Sequence, residues 1–228
     1  MDVDDRFVSI TGLICEPTRA RMLWSLLDGR AYTATELSAS ANTSATSASN
    51  HLAKLLEADL VKVEVQGRHR YYSFSGPEVA YAIESLANLA GGPWPAKKQA
   101  GSASSGLRFC RTCYDHLAGH VSVRIVDALL QRRCIDRTDT AFLVTENGWE
   151  WFEKLAIYQE DFRPSRRPLA RPCLDWSERR PHLAGQLGAV LLDRMMTRQW
   201  FRKVQFSREL VLTHAGRQGL SDLLNLNL

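Results

Sequence analysis

The sequence contains no apolar run of about 18 residues, which excludes a membrane-spanning helix. Its opening, MDVDDRF, is acidic and lacks the basic-then-apolar order of a secretory leader, so a cytoplasmic location is expected. Cysteine is scarce: five residues at uneven spacing do not make a disulfide framework, and reduced thiols are the expectation. No phosphate-binding glycine loop, nucleophile elbow or H-E-x-x-H pair occurs, so no enzyme is expected and no catalytic residue is assigned. Positive charge is also scarce where it would matter most. Residues 1–90 carry 8 Lys/Arg against 11 Asp/Glu, so the net charge of +4 comes from the second half. Any nucleic-acid contact by the first half must therefore rest on local arrangement.

What remains is an ordinary globular composition, 45% hydrophobic and 24% charged, over 228 residues, a length comfortable for two domains. The stretch 91–106, GGPWPAKKQAGSASSG, has no apolar periodicity and reads as a linker. It separates a domain at 1–90 from one at 107–228. The expected fold class is mainly α with small β wings, an α+β arrangement.

In the first block a helix over Phe7–Leu13 is expected to stop and restart at Pro17. Ala20, Leu23, Trp24 and Leu27 would line the next helix, and Asp28-Gly29 would end it. A short helix follows, ATELSASA, with a threonine cap and Asn42 in the turn. A longer helix spans about 44–58. Val61, Val63 and Val65 alternate with polar residues as a strand, and Arg70–Phe74 returns it. A last helix, Pro77–Ala90, would bury Val79, Ile83, Leu86 and Ala87. This order is that of a winged helix-turn-helix.

On a helical wheel Ala45, Ala48, Leu52, Leu55 and Leu56 fall on one face, the expected core side. Thr43, Thr46, Ser47, Asn50 and Lys54 fall opposite, all slim and polar apart from one cation. Such a face fits the major groove, where Asn reads adenine and Ser or Thr reach base edges or phosphates. Ser44 opens this helix, and His51 lies at its flank, placed for a phosphate or for packing. The hairpin tip with Arg68, His69 and Arg70 supplies cations for the adjacent backbone.

Three motifs coincide here: the S-x-x-x-x-S-x-H-L frame from Ser44 to Leu52, Leu-x-x-Ala-x-Leu-Val from Leu55 to Val61, and Gly-Arg-x-x-Tyr-Tyr from Gly67 to Tyr72. Together they resemble the helix-turn-helix and wing of the ArsR/SmtB repressors over about residues 5–90. The resemblance implies a homodimeric repressor that leaves a double-stranded DNA operator when an inducer binds, with the first and last helices of the block forming the dimer contact. Metal sensors of that family carry cysteines where this chain has Glu36-Leu37-Ser38-Ala39-Ser40, and others carry histidines on the last helix, where this chain has none. Neither customary metal site carries over, so a sensor is expected in the second half.

That half is duplicated. HLAGHVSVRIVDALLQRR (116–133) pairs with HLAGQLGAVLLDRMMTRQ (182–199), and FLVTENG (142–148) with LVLTHAG (210–216). Upstream, Cys113-Tyr114-Asp115 pairs with Cys173-Leu174-Asp175. Two copies of helix, strand, helix are expected, each final helix opened by a Thr three residues ahead of a Gly. A cleft between the copies is the expected effector site.

Cys110, Cys113, His116 and His120 sit at helical spacing, from which four ligands cannot converge on a tetrahedral ion, so capping or packing roles are expected. The alternative is a redox or metal sensor built from Cys110, Cys113, His116, Cys173 and His182. No cofactor is expected under the first reading; zinc or another thiophilic metal belongs to the second. Cys15 and Cys134 are expected in the core. The run RPSRRPLARP (163–172) has four Arg and reads equally as an anion contact or a solvated linker.

Overall fold

A computed structural model describes residues 2–90, 106–165, 167–205 and 207–228. The expected linker, apart from Gly106, lies outside the described residues. The chain divides into two compact units, residues 1–86 and 87–228.

The first unit runs α1 (Val3–Ile14), α2 (Pro17–Leu26), β1 (Tyr32–Thr33), α3 (Ala34–Ser40), α4 (Ala45–Glu57), β2 (Val61–Gln66), β3 (His69–Phe74) and α5 (Pro77–Ala90), whose last turn passes into the second. Local chemistry fixes these boundaries. Glu16 caps α2 by accepting from the Thr18 and Arg19 amides, with Pro17 as the first helical residue. Thr33 and Glu36 form a reciprocal capping box on α3. Asn42 holds the turn before α4 in the left-handed region (φ 52°), a geometry that Asn tolerates. Ser44 caps α4 through the Ser47 amide.

Helix α4 buries Ala48, Leu52 and Leu55. Ala45, expected beneath, is exposed, because the buried stripe starts one turn inside the helix. On α2 the buried face is Arg19, Met22, Leu23 and Leu26, so Ala20 and Trp24 point outward, contrary to expectation. Arg19 sets this rotation: its guanidinium donates to the Leu13 and Gly12 carbonyls and so tucks α2 under the end of α1. Cys15, at the C-cap of α1, is exposed rather than in the core. The wing pairs β2 with β3 from Val61↔Phe74 to Gln66↔His69 around Gly67-Arg68, and β1 adds a third strand at Tyr32↔Tyr72. No residue of α1 is fully buried; Ile10, Leu13 and Ile14 near its end are half-buried. On α5, Ile83 is buried but Leu86 is 45% exposed and Leu89 77%, so the expected core face is only partly covered.

The second unit is α+β and its duplication is explicit, but each copy begins with a hairpin rather than a helix. Copy one is β4 (Arg111–Cys113), β5 (His116–Ala118), α6 (His120–Gln131), β6 (Ile135–Arg137), β7 (Phe142–Val144) and α7 (Glu146–Glu153). Copy two is β8 (Arg171–Leu174), β9 (Pro181–Ala184), α8 (Gly185–Thr197), β10 (Phe201–Lys203), β11 (Leu210–Leu212) and α9 (His214–Leu224). The copies embrace: α6 lies on β9, α8 lies on β5, and β5 meets β9. One large core runs through both, with Cys134 inside it and Trp200 at the equivalent place, beside a smaller cluster of Cys113, Ala118, Cys173 and Ala184.

Two glycine pairs make this packing possible. Gly119 (φ 88°) and Gly185 (φ 91°), each closing an HLAG, sit where a Cβ would stand 2.9 Å from the Arg108 and Phe109 carbonyls or 2.7 Å from those of Pro168 and Leu169. Thr145 and Thr213 cap α7 and α9 through the amides of Gly148 and Gly216, and there a Cβ would lie 1.9 Å from the Cys134 carbonyl or 2.3 Å from that of Trp200. Backbone on backbone cannot yield as a side chain would. Gly148→Ala is therefore expected to destabilise the second unit by about 1–3 kcal/mol through overpacking. Urea unfolding followed by tryptophan fluorescence measures it, and a change within about 0.5 kcal/mol of zero would contradict this packing.

Candidate functional site

Two constructions stand out, one in each unit. In the first, α4 presents Thr46, Asn50 and Lys54 to solvent, with Thr43 and Ser47 half-buried beside them. Leucines anchor the opposite side, so the outward face is slim and polar at a spacing set by the helix. The Ser44 hydroxyl is engaged as the helix cap. His51 is half-buried and turned inward, its Nδ1 3.4 Å from both Arg19 Nη1 and Glu16 Oε2. Its ring thus braces α4 against the start of α2. Glu16 is held at about 2: burial opposes the charged carboxylate, but the Thr18 and Arg19 amides and His51 outweigh it.

Arg68, His69 and Arg70 are all exposed at the wing tip. Between wing and helix runs a groove of about 420 Å³, lined by Arg68, His69 and Arg70 on one side and Ser49 and Ala53 on the other, with Thr33 and Thr35 at its end. Sequence reasoning gave Thr33 or Thr35 only a capping role and did not assign Ser49; Thr33 reaches the wing because β1 pairs with β3. The local charge of this groove is positive although the block around it is net acidic.

In the second unit the structure gathers four of the five candidate sensor residues. Cys113, His116, Cys173 and His182 are buried, and one donor atom from each lies within 4.8 Å of all the others. The hairpins explain the convergence. Cys113 pairs directly with His116 across β4–β5, and Cys173 with His182 across β8–β9, so each copy offers one cysteine and one histidine on the same face. The copies then bring the pairs together, with Cys113 Sγ and Cys173 Sγ 3.9 Å apart and the two Nε2 atoms 3.1 Å apart. This corrects the helical reading of 110–120, since the ligands approach from two hairpins. Cys110 is not part of the cluster. It is buried beside Phe109 and Leu117 in the main core, and burial pushes its thiol well above the ordinary range. His120 is also outside, bonded to Glu178 at 3.0 Å and stacked on Phe109.

A carboxylate stands behind each imidazole. Asp115 Oδ1 is 3.2 Å from His116 Nδ1, and Asp175 Oδ2 is 3.6 Å from His182 Nδ1. Each carboxylate is itself held by an arginine, Arg167 at 2.7 Å for Asp115 and Arg111 at 2.9 Å for Asp175. Arg167, from the basic run between the copies, is thus an internal strut, and its Nη2 also donates to the Gly185 carbonyl. Asp175 accepts further bonds from the Gly119 and Ser177 amides. Burial would raise its pKa, yet Arg111, His182 and these donors hold it at about 2. The Cys113 contact and the two imidazoles lower the Cys173 thiol well below its ordinary value, against burial. Burial disfavours a charged His116, but Asp115 and Cys173 outweigh it and raise its pKa. Asp115 and Asp175 were already paired by the repeat, the one sequence signal that could have marked these supporting carboxylates.

Comparison with known proteins gives four matches. A helix-turn-helix domain family matches residues 15–64. Across its length the chain is 39% identical, over 226 residues, to YdfF, an uncharacterized HTH-type transcriptional regulator of Bacillus subtilis (strain 168), covering 99% of this chain and 100% of that protein. Among solved structures, HlyU from Vibrio cholerae is 29% identical over 39% of this chain and 97% of its own, with a TM-score of 0.36. The homodimeric winged helix-turn-helix domain of a possible ArsR-family regulator from Mycobacterium bovis is 22% identical over 38% of this chain and 79% of its own, with a TM-score of 0.35.

The Arg111–Asp175 pair is fully buried. Asp175→Ala would strand the guanidinium and is expected to cost about 3–5 kcal/mol in urea unfolding of the second unit. Asp115→Ala, removing a carboxylate that solvent reaches, is expected to cost clearly less. Equal losses would contradict the unequal burial of the two struts.

Proposed function

The chain belongs to the HTH-type transcriptional regulators, which bind DNA, and we propose that it does so as a homodimeric winged-helix repressor released from its operator by an effector acting on the second unit. The observation that carries this reading is the outward face of α4. Thr46, Ser47 and Asn50 offer hydrogen bonds without bulk, Lys54 offers a charge, and leucines hold the helix from behind. A helix of this kind enters the major groove with Asn50 toward adenine. Ser44, Thr43 and the wing cations Arg68, His69 and Arg70 serve phosphates on either side. His51, braced by Glu16 and Arg19, contributes chiefly by fixing the angle of α4.

A dimer is supported by apolar surface that the chain leaves uncovered in its first unit. Val3, Phe7 and Val8 on α1 are each more than 60% exposed, and Leu86 is exposed on α5. Solvent-facing residues of this size on neighbouring turns mark a protein contact. Two-fold pairing would set two α4 helices for a pseudo-palindromic operator with half-sites about one helical turn apart. The second unit, which holds the buried cysteine and histidine cluster, is assigned to the effector. The buried cysteine and histidine cluster favours a metal- or thiol-based signal there over an organic ligand.

Two measurements test the reading. With operator DNA taken from upstream of the chain's own gene, Asn50→Ala is expected to cost about 1–3 kcal/mol at one base position, whereas Arg68→Ala weakens operator and random DNA alike and flattens the salt dependence. If Asn50→Ala weakens both DNAs equally, α4 is not the reading helix. For the dimer, Phe7→Glu is expected to shift the chain toward monomer in analytical ultracentrifugation and to weaken operator binding with it. An unchanged sedimentation profile would remove α1 from the contact.

A further inference from the structure

The four donors of the second unit define a geometry closer to an ion site than to a packed core. A tetrahedral zinc with sulfur at about 2.3 Å and nitrogen at about 2.0–2.1 Å sets edges of about 3.8 Å between sulfurs and about 3.3–3.4 Å between nitrogens. The corresponding separations here are 3.9 Å for Cys113 to Cys173 and 3.1 Å for His116 to His182. We propose that Cys113, His116, Cys173 and His182 form a closed tetrahedral site for a thiophilic divalent cation of the zinc class, one cysteine–histidine pair from each copy of the duplicated unit.

Three features carry the assignment beyond proximity. First, the imidazoles are oriented for it. His116 Nδ1 lies 3.2 Å from Asp115 Oδ1, and His182 Nδ1, which makes no hydrogen bond, has Asp175 Oδ2 at 3.6 Å; a ring proton on those sides is favoured by the carboxylates and turns the two Nε2 lone pairs toward one another. Two lone pairs 3.1 Å apart repel unless a positive centre lies between them. A shared proton would satisfy the nitrogens alone, whereas a metal satisfies the sulfurs as well. Secondly, a carboxylate behind each ligating histidine, itself fixed by Arg111 or Arg167, is the supporting shell that orients imidazoles at metal centres. Thirdly, the donor set selects the ion: two sulfurs with two imidazoles suit zinc-like cations and exclude magnesium or calcium, which take oxygen.

All four positions come from protein and none faces solvent freely, so the site is of the closed kind, without a vacant position for substrate. The ion would tie β4–β5 to β8–β9 and make folding of the second unit depend on metal. A Cys113–Cys173 disulfide, the competing thiol chemistry, would leave both histidines without a role. Uptake of the ion by the second unit does not depend on operator binding.

The test uses the full-length chain, reduced, stripped with a chelator and titrated with cobalt(II) in the absence of DNA. One equivalent per chain is expected to give the visible bands of tetrahedral cobalt together with near-ultraviolet thiolate charge transfer, and zinc is expected to displace it. The thermal midpoint should rise with metal. Cys113→Ser and Cys173→Ser should each lose charge-transfer intensity and weaken cobalt binding, whereas Cys15→Ser, a change at an exposed thiol of the other unit, should not. Because a cluster variant can misfold, the wild-type spectrum decides by itself. A weak octahedral spectrum, no charge transfer, or no uptake by the fully reduced chain would overturn the proposal.

Discussion

The second unit depends on two short hairpins meeting at their inner strands. Strand β5 lies against β9, and around that contact each copy lays its first helix on the other copy's hairpin. No strand of these hairpins exceeds four residues, and a two-stranded ribbon of that length does not stand alone in water. Each survives because the other covers it, and because the glycines that end the HLAG segments let both chains pass against neighbouring carbonyls. The same contact that builds the core, therefore, places the four sulfur and nitrogen donors together. Stability and chemistry share one seam.

The copies are equal in donor groups and unequal in support. The first hairpin turns in two residues, Tyr114-Asp115, with Tyr114 left-handed (φ 57°). The second turns in a longer loop in which Asp175 gathers the Ser177 and Glu178 amides, the amide of Gly119 and the buried Arg111. Arg111 also lies 4.5 Å over the Trp176 ring. The loop of copy two therefore also serves as a brace for copy one. A buried ion pair of this kind gains little over an apolar filler by itself; its value lies in fixing which way the carboxylate, and behind it the imidazole, must point.

Much of this was legible in the sequence. The winged helix-turn-helix could be read because its helices keep a clear apolar stripe and its wing alternates over six residues, as Leu52, Leu55 and Val61 show. Strand β1 could not, since two residues carry no period, and it is β1 that brings Thr33 to the wing. The rotation of α2 was misread because Arg19 is buried through carbonyl bonds that no hydropathy pattern encodes. In the second half, the duplication and the helix-capping threonines were visible as repeated letters. The hairpins were not. Their strands are short and, in β4 and β5, buried on both faces, so they lack alternation, and Tyr114-Asp115 is not a turn sequence that announces itself. Cysteine and histidine three apart suggested a helix, whereas pairing across a tight hairpin yields the same spacing.

Helix α1 has a consequence of a different order. A helix of 12 residues in which Ile10, Thr11, Leu13 and Ile14 are only half-buried and the rest exposed is marginal in water by its own propensity. Whatever covers it contributes to its persistence, and if the cover is a second copy of the chain, mass action enters: dilution loosens the amino-terminal segment and crowding of like chains restores it. Abundance would then act as a control variable in its own right, setting how much of the population is ordered enough to hold DNA.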